Sequence, residues 1–291
     1  MRLRILSALL LALALVAASC GDDDATTTTV AGEQSCDIAD LELVTAGQLT
    51  VATGEPAFPP WVSAIDGTNF DEPESGTGFE AALVYAVAEE MGFAADQVVW
   101  VRTGFDEVIA PGPKNFDFNI QQYTITADRD EVVDFSNPYY SNAQALVAFP
   151  DSDVAGATTL ADLAGTTLGV QVGTTSLDYV EEVIQPGTEV PVYDTTVDAK
   201  AALEARQIDG LVVDLSTAYY ITAVEIEGST IVAAFDAPAS EPDEFGLLFA
   251  EGNSLRDCVN VALEALRADG TLQSLEDQWL ESGSGVPVIS E

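Results

Sequence analysis

The amino-acid sequence predicts an α/β fold, because short apolar strands and amphipathic helices alternate along most of the chain. β-Branched runs such as LTVAT and VVWVR are separated by segments in which apolar residues recur at helical spacing. Strands that alternate with helices imply parallel sheets covered on both faces. Because 47% of the 291 residues are apolar, the chain can bury the core of one large domain or of two lobes.

The first half of the chain opens with the strand LTVAT at residues 49–53, which a loop rich in proline and glycine follows. Apolar residues then recur at helical spacing over residues 79–91, and Gly92 ends this helix. The remaining elements predicted in this half are a strand at 98–102, a short helix at 105–110, an apolar run at 116–122, and a helical turn or loop at 126–135.

The second half repeats this alternation without an internal sequence repeat. The stretch Gly173, Thr174, Thr175 and Ser176 opens a helix at residues 177–184 and supplies good capping residues. The other predicted elements of this half are strands at 167–172, 190–193, 211–214, 231–235 and 245–250, and helices at 159–165, 197–206, 216–223, 254–267 and 271–280.

The charge balance excludes some classes of partner. Nine Lys and Arg residues against forty-nine Asp and Glu give a formal net charge of -40. Binding to nucleic acid or to an anionic membrane needs clustered cations, so we expect no nucleic-acid partner. The sequence contains no histidine, which removes the commonest nitrogen ligand of metals and the usual proton-transfer group near neutral pH. We therefore expect no metal and no cofactor.

The N-terminus has the pattern of an export signal. Arg2 and Arg4 precede an apolar run that is long enough for a signal peptide but short for a spanning helix. Small residues lead to Cys20, so we predict a lipoprotein signal peptide at residues 1–19 and a lipid on the sulfur of Cys20. Ala17 stands where such signals usually have leucine, which keeps plain secretion open. The polar residues 20–36 are predicted to be a flexible tether.

Two further cysteines, Cys36 and Cys258, form an even pair in a chain predicted to be exported. We expect them to be bonded to each other, which would tie the start of the folded body to a helix near its end. The alternative is two unrelated buried thiols.

Four segments resemble the extracellular solute-binding proteins of ABC importers, in the family that binds polar amino acids. They are GFEAALVYAVAEEMG at 78–92, TITADRDEVVDFSNPYY at 124–140, VQVGTTS at 170–176 and DGLVVDLSTAYY at 209–220. The resemblance covers residues 48–281 in order and spacing. Ala81 and Ala82 depart from the usual aliphatic and acidic residues of the first motif, and residues 62–78 form a longer insertion.

The resemblance implies a fold like that of type II periplasmic binding proteins, with two α/β lobes joined by two hinge strands. Lobe 1 would comprise residues 37–142 plus 235–291, and lobe 2 residues 143–234. Ligand would lie in the cleft at the carboxyl ends of the strands, where open α/β sheets generally bind.

By the same resemblance, Arg129 is the residue that binds the ligand's carboxylate and Asp214 the residue that binds its amino group. A guanidinium can donate two parallel bonds to a carboxylate, and an aspartate can accept from an ammonium. The alternative for both residues is a surface salt bridge. The other expected contacts are Gln122 and Thr124 beside Arg129, and the backbone N–H groups of Gly173, Thr174, Thr175 and Ser176.

Selectivity for the ligand's side chain is expected from the first lobe. Phe58 and Trp61 follow the first strand, where aromatic rings would stack on the ligand. Ordinary core packing is the alternative, and for Trp61 the sequence favours neither. Tyr123 is expected to form another wall, and Glu55 can meet a cationic side chain. Apart from Arg129, no cation lies in a segment that we predict to face the cleft.

The resemblance implies a non-enzymatic, extracytoplasmic monomer, lipid-anchored to the cell membrane. It would capture a polar amino acid and deliver it to an ABC permease. One alternative is an extracytoplasmic dehydratase acting on prephenate or arogenate, for which Glu80 or Glu55 would be the acid or base. A sensory domain that reports on an amino acid is a further alternative. The sequence leaves open which amino acid is bound.

Overall fold

Residues 35–235, 243–280 and 285–289 are described by a computed structural model of the chain. The predicted signal peptide at residues 1–19, the lipidation site Cys20 and the predicted tether up to residue 34 lie outside the described residues.

The bounds of the helices and strands follow the predicted alternation closely. The strands, in chain order, are β1 (Leu49–Thr53), β2 (Val98–Arg102), β3 (Phe118–Asn119), β4 (Val133–Phe135), β5 (Tyr140–Ser141), β6 (Gln144–Ala148), β7 (Leu168–Gln171), β8 (Val192–Tyr193), β9 (Gly210–Asp214), β10 (Thr230–Phe235), β11 (Glu244–Phe245), β12 (Leu248–Ala250) and β13 (Val288–Ile289). The α-helices are α1 (Phe79–Glu90), α2 (Phe105–Ile109), α3 (Ala127–Asp130), α4 (Thr175–Asp178), α5 (Thr196–Glu204), α6 (Leu215–Tyr220), α7 (Leu255–Ala268) and α8 (Thr271–Trp279). Two π-helical segments, Tyr179–Ile184 and Ile221–Glu225, continue α4 and α6.

The first sheet has five strands in the order β2, β1, β3, β12, β4. β1 pairs in parallel with β2 and β3, whereas β12 is antiparallel to β3 and β4. All five residues of β1 are buried, as expected for a central strand covered on both faces. Helices α1, α7 and α8 pack against one another and against this sheet through residues such as Leu83, Val259 and Leu272. We call this sheet with α1, α2, α3, α7 and α8 the first lobe.

The second sheet has six strands in the order β13, β10, β6, β9, β7, β8. Successive residues of a strand point to opposite faces. Leu146 of β6 therefore packs with Leu168 and Tyr179 on one side, while Val147 packs with Ala199 and the α6 side of the sheet on the other. Both faces are buried, which explains the continuous apolar run of this strand. We call this sheet with α4, α5 and α6 the second lobe.

Both sheets are mixed, so the expectation of parallel sheets is wrong for part of each. In the second lobe β6 is antiparallel to β9 and β10, because β6 enters directly from the first lobe and not through a helical crossover. β4 was also missed, since residues 133–135 lay in a segment predicted as a helical turn or loop. The turn is present as α3, but the strand follows it at once.

The chain passes between the lobes through β5 and β11, which pair with each other as a two-stranded antiparallel ribbon. Two hinge strands were predicted, and this arrangement confirms them. β13 pairs in parallel with β10 and so lies in the second sheet, although the predicted first lobe extends to residue 291. The predicted lobe boundaries otherwise remain a prediction.

Cys36 and Cys258 are bonded to each other, with their Cα atoms 5.5 Å apart. The expected pairing is confirmed, and the alternative of two separate thiols is excluded. The bond fixes the segment before β1 to α7 of the first lobe.

Among the residues that the structure describes, no helix is both long enough and apolar enough to span a bilayer. The same part of the chain holds no group of three or more carboxylate or cysteine side chains placed to bind a metal ion.

Candidate functional site

The carboxyl ends of strands from both sheets line a cavity of about 400 Å³. Open α/β sheets generally bind ligands at this edge, because the loops that follow the strands converge there. The polar residues at or just after strand ends that line it are Thr53, Thr103 and Gln121 in the first lobe, and Gln171, Asp194 and Asp214 in the second.

Arg129 lines the cavity from α3, where the hydroxyl of Thr126 caps the helix and accepts from the backbone N–H of Arg129 over 3.2 Å. Its Nη1 donates to the carbonyl oxygen of Thr124 (2.7 Å), and its Nη2 to that of Gly173 (2.8 Å). The side chain is 8% exposed, and burial lowers the pKa of Arg129 from its usual value. In the described part of the chain the guanidinium forms no ion pair, so it keeps three of its five N–H donors.

Asp214 ends β9 and lines the cavity from the second lobe. Its Oδ1 accepts from Nδ2 of Asn142 (2.6 Å) and from Nε2 of Gln144 (3.1 Å). Desolvation, reinforced by the negative charge of Asp243, raises the pKa of Asp214 to about 7. A positive charge placed beside such a carboxyl group stabilises its ionised form. The two residues predicted to hold opposite ends of an amino acid thus line the same cavity from different lobes.

Three of the four residues predicted at the opening of α4 also line the cavity, namely Thr174, Thr175 and Ser176. Thr174 caps the helix by accepting from the N–H of Leu177 over 3.3 Å. Gly173 does not line this cavity, and its carbonyl oxygen accepts from Nη2 of Arg129. This residue contributes an acceptor that fixes the guanidinium, and a backbone N–H from Gly173 to the ligand stays a prediction.

The first lobe supplies Gln122 and Thr124 to the cavity, as predicted. Gln122 has a positive φ of 50°, an uncommon conformation for a residue other than glycine. Buried Glu80 accepts from the N–H of Gln122 over 2.9 Å, and also from its side-chain amide and from the hydroxyl of Tyr139. Desolvation raises the pKa of Glu80 to about 7. Glu80 does not line the cavity, but its hydrogen bonds hold Gln122 in place.

Among the predicted aromatic contacts, Phe58 lines the cavity as a half-buried residue. Trp61 also borders the cavity but is only 2% exposed, and it packs on Phe79 and Phe245. Its indole N–H lies 3.3 Å from the hydroxyl of Thr217 in the second lobe. Trp61 therefore belongs mainly to the core, the alternative left open by the sequence.

Tyr123 does not form a wall of the cavity, and that prediction is wrong. It is fully buried and stacks on Phe105, with 4.6 Å between the ring centroids. Its hydroxyl donates towards the carbonyl oxygen of Phe105 and the side chain of Gln121, at 3.1 Å each. Phe105 and Gln121, which sequence reasoning missed, line the cavity in its place.

Glu55 lines the cavity as an exposed residue just after β1, and no salt bridge to it is present in the described part of the chain. Lys200 also lines the cavity, contrary to the expectation that Arg129 is the sole cation in the cleft. The Lys200 ammonium lies 4.5 Å from the centre of the Phe58 ring and 2.5 Å from Oε1 of Glu225. Lys200 lies in the helix predicted at residues 197–206, which follows the carboxyl end of the strand predicted at 190–193, and this placement was the signal that could have revealed it.

Asn142, Gln144 and Asp243 were also missed, although they surround the Asp214 carboxylate. They lie beside the hinge strands β5 and β11, and the fold brings Asp243 to Asn142 and Gln144 although it is far from them in the sequence. The residue types alone, two amides and one more acid in an acidic chain, carried no signal.

Comparison with known proteins agrees with this arrangement. The sequence profile of the bacterial extracellular solute-binding proteins, family 3, matches residues 49–282. The ABC transporter arginine-binding protein 1 of Escherichia coli (strain K12) is 28% identical over 209 residues, 69% of this chain and 81% of that protein. The L-cystine-binding protein TcyJ of the same strain is 31% identical over 206 residues, 70% of this chain and 74% of that protein.

Solved structures show the same fold. The structure of an ancestral arginine-binding protein bound to glutamine superposes with a TM-score of 0.66 at 31% identity, covering 81% of this chain and 98% of that one. This likeness confirms the predicted arrangement of two α/β lobes joined by two hinge strands. The match of the profile across both lobes, with the cavity between them, shows that this chain belongs to the bacterial extracellular solute-binding proteins, family 3.

Proposed function

We propose that the protein captures a polar amino acid in the cavity between its lobes and delivers it to an ABC permease. The observation that carries the proposal is the placement of Arg129 and Asp214 in one cavity on opposite lobes. An α-amino acid presents a carboxylate and an ammonium a short distance apart, and these two residues offer the complementary charges. The names of the arginine- and cystine-binding relatives support the same ligand class.

Closure around the ligand is the mechanism that the contacts between the lobes support. Arg129 reaches from the first lobe to Gly173, Trp61 to Thr217, and the ring of Phe58 lies under the ammonium of Lys200. A ligand held by both lobes stabilises this closed arrangement over an open one, because its full set of contacts exists only there. The permease would then recognise the closed form.

The family is extracytoplasmic, and we propose that a lipid on Cys20 holds the protein at the cell membrane, near the permease. The lipid would act through the polar residues 20–34, which precede the described body. A labelled-palmitate experiment in cells would test this, with Cys20→Ser as the control that should lose the label.

We propose that the protein is not an enzyme. Of the two carboxylates suggested for a dehydratase, Glu80 accepts three hydrogen bonds from protein groups and does not line the cavity. Glu55 lines the cavity, but no partner that would orient it as an acid or base is present among the described residues. Binding needs no such group.

A ligand panel tests the proposal. Thermal unfolding of the purified protein is followed with each of the common amino acids, cystine, prephenate and arogenate. A ligand at a hundred times its dissociation constant should stabilise the fold by about 2.7 kcal/mol, which gives a clear shift. We expect one amino acid or a small group to raise the melting temperature. A response to prephenate or arogenate alone, with measurable turnover, would contradict the proposal.

A further inference from the structure

Asp243 lies immediately before β11, where the chain passes between the lobes, and its side chain is buried at 8% exposed. Its two carboxylate oxygens contact residues on different sides of this passage. Oδ1 accepts from the hydroxyl of Thr124 in the first lobe over 2.7 Å. Oδ2 accepts from Nδ2 of Asn142 and from Nε2 of Gln144, each over 2.7 Å.

The same two amide groups hold Asp214. Nδ2 of Asn142 and Nε2 of Gln144 each donate to Oδ1 of Asp214 as well as to Asp243. A primary amide has two N–H groups, so both amides are fully used and a ring of four hydrogen bonds joins the two carboxylates. Oδ2 of Asp214 accepts no hydrogen bond from the described residues. The ring therefore fixes one oxygen of Asp214 and leaves the other for a group in the cavity.

The contacts of each amide fix which of its ends faces the carboxylates. The hydroxyl of Ser176 donates to Oε1 of Gln144 over 2.6 Å, which leaves the amide nitrogen for the two acids. Oδ1 of Asn142 is buried and has no partner within the described residues. Turning the Asn142 amide over would bring that oxygen against two acceptors, so its two donated bonds outweigh the unsatisfied oxygen.

Two carboxylates that share the same donors repel each other in a buried site. Each N–H donor offsets part of this cost, but a purely structural role would be filled at lower cost by a neutral side chain. A cation placed at the free oxygen of Asp214 relieves the repulsion. The ammonium of a bound amino acid is such a cation.

We propose that Asp243 is a positioning residue for the ligand's amino group, a role that rests on the proposed function. Through Asn142 and Gln144 it holds Asp214 so that one carboxylate oxygen faces the ligand. Asp243 also accepts from the hydroxyl of Thr124, and the carbonyl oxygen of Thr124 accepts from Arg129. Asp243 thereby connects Asp214 to Arg129, which would bind the ligand's carboxylate. Asp243 thus sets the relation between the two halves of the site.

The test compares an amino acid with the 2-hydroxy acid in which a hydroxyl replaces its amino group. The full chain is titrated calorimetrically with L-arginine, L-cystine, L-glutamine and L-glutamate, and the tightest of these is then compared with its 2-hydroxy counterpart. The variants are Asp243→Asn, Asp214→Asn and the double variant. Asp117→Asn is the matched control, since Asp117 is also buried and accepts two backbone N–H bonds but lies outside the cavity.

We expect Asp243→Asn to reduce the preference for the amino acid over the hydroxy acid by about tenfold, the value of one well-placed charge-assisted bond. Asp117→Asn should leave this preference unchanged. Adding Asp243→Asn to Asp214→Asn should have almost no further effect on the preference, because Asp243 acts through Asp214. If Asp243→Asn does not fold, as judged by circular dichroism, Asn142→Ala cuts the same ring and should lower the preference in the same direction.

Equal weakening of both ligands by Asp243→Asn would overturn the positioning role and leave the proposed function intact. An additive loss in the double variant would also overturn it. If the wild-type protein binds none of these four, the other common amino acids are titrated in turn. Binding of none of them would overturn both the proposed function and this inference.

Discussion

At the residue scale, Arg129 combines two tasks that usually fall to separate side chains. Two of its N–H groups hold backbone carbonyls on opposite lobes, and the remaining donors are left for a ligand. A lysine could not reproduce both tasks, because its ammonium is a single point without the planar fork. One guanidinium can therefore hold the two lobes together and bind the ligand's carboxylate at the same time.

We predict that Arg129→Met weakens binding of the preferred amino acid by at least about 100-fold, since two charge-assisted bonds to the ligand's carboxylate are lost. Isothermal titration measures the loss. Arg206→Met is the matched control, because Arg206 pairs with exposed Asp151 and lies outside the cavity. Affinity within about threefold of wild type for Arg129→Met would refute the carboxylate-binding role.

Asp214 gives the site a pH dependence. Its pKa is raised to about 7, so the ligand-free protein takes up a proton there as the pH falls below neutrality. Binding an ammonium favours the ionised form, and affinity should fall by up to about tenfold per pH unit below about pH 7. Titrations between about pH 8 and about pH 5.5 test this. Asp214→Asn should flatten the profile, whereas a profile that keeps its slope would assign the proton to another group, such as Glu80.

The same raised pKa has the opposite effect on the ligand-free fold. Because folded Asp214 holds its proton more tightly than the unfolded chain does, the contribution of Asp214 to stability is fully present below its unfolded pKa and is lost as the pH rises through about 7. The contribution of Asp214 to stability and its contribution to ligand affinity thus change in opposite directions over the same pH range.

At the element scale, the turn from β7 into α4 brings the second lobe against the first. Gly173 has a φ of 71°, and a Cβ atom there would lie 2.4 Å from Oδ1 of Asp106 on α2. Asp106 would have to rotate away for the lobes to meet as they do here. The glycine therefore favours the left-handed turn and lets the Asp106 side chain keep its position where the lobes meet.

We predict that Gly173→Ala weakens ligand binding by about three- to tenfold, because it disfavours the closed arrangement as well as the left-handed turn. Gly187→Ala is the matched control. Gly187 has a φ of 76° but nothing within 4 Å of the added Cβ, so it shares the backbone strain without the clash. Both variants should lose similar stability in thermal unfolding, and equal affinities would contradict the steric explanation.

Some elements could be predicted from local sequence and others could not. LTVAT and VVWVR form β1 and β2 at the predicted residues, because continuous β-branched runs suit strands. The predicted helix at residues 159–165 is only a short 3-10 turn at Leu160–Leu163. β4 was hidden because it is three residues long and contains Asp134, and its pairing with β12 supplies what its sequence does not.

The candidate site divides in the same way. Arg129, Asp214 and Thr174–Ser176 could be placed because each lies within a contiguous motif. Asp243 could not, because its partners Asn142 and Gln144 are 101 and 99 residues away in the sequence. Tyr123 was wrongly predicted to line the cavity because its neighbours Gln122 and Thr124 both do so. The turn at Gln122 directs the ring of Tyr123 into the core instead.

At the scale of the whole molecule, the disulfide closes a long loop that contains most of both lobes, since Cys36 and Cys258 are separated by 222 residues. Neither cysteine lines the cavity. The bond should therefore contribute to stability without contributing to ligand contacts.

We predict that the double variant Cys36→Ser, Cys258→Ser loses about 4 kcal/mol of unfolding free energy and melts about 10 °C lower. Calorimetry measures the stability, and titration should show an unchanged dissociation constant for the preferred amino acid. Treating the wild-type protein with a reductant should reproduce the lower melting temperature and should not change that of the serine variant. A change in affinity without a loss of stability would contradict this prediction.

The placement of β13 has a consequence for how the molecule can be used. Cys36, near the start of the described chain, is fixed to α7 of the first lobe, whereas Val288–Ile289 pairs with β10 of the second. Cys36 and Ile289 are therefore fixed to different lobes, and any rotation of one lobe against the other changes the distance between these two residues. Donor and acceptor fluorophores attached next to these two residues would make the protein an optical sensor of its own ligand. The efficiency of energy transfer would change with the angle between the lobes.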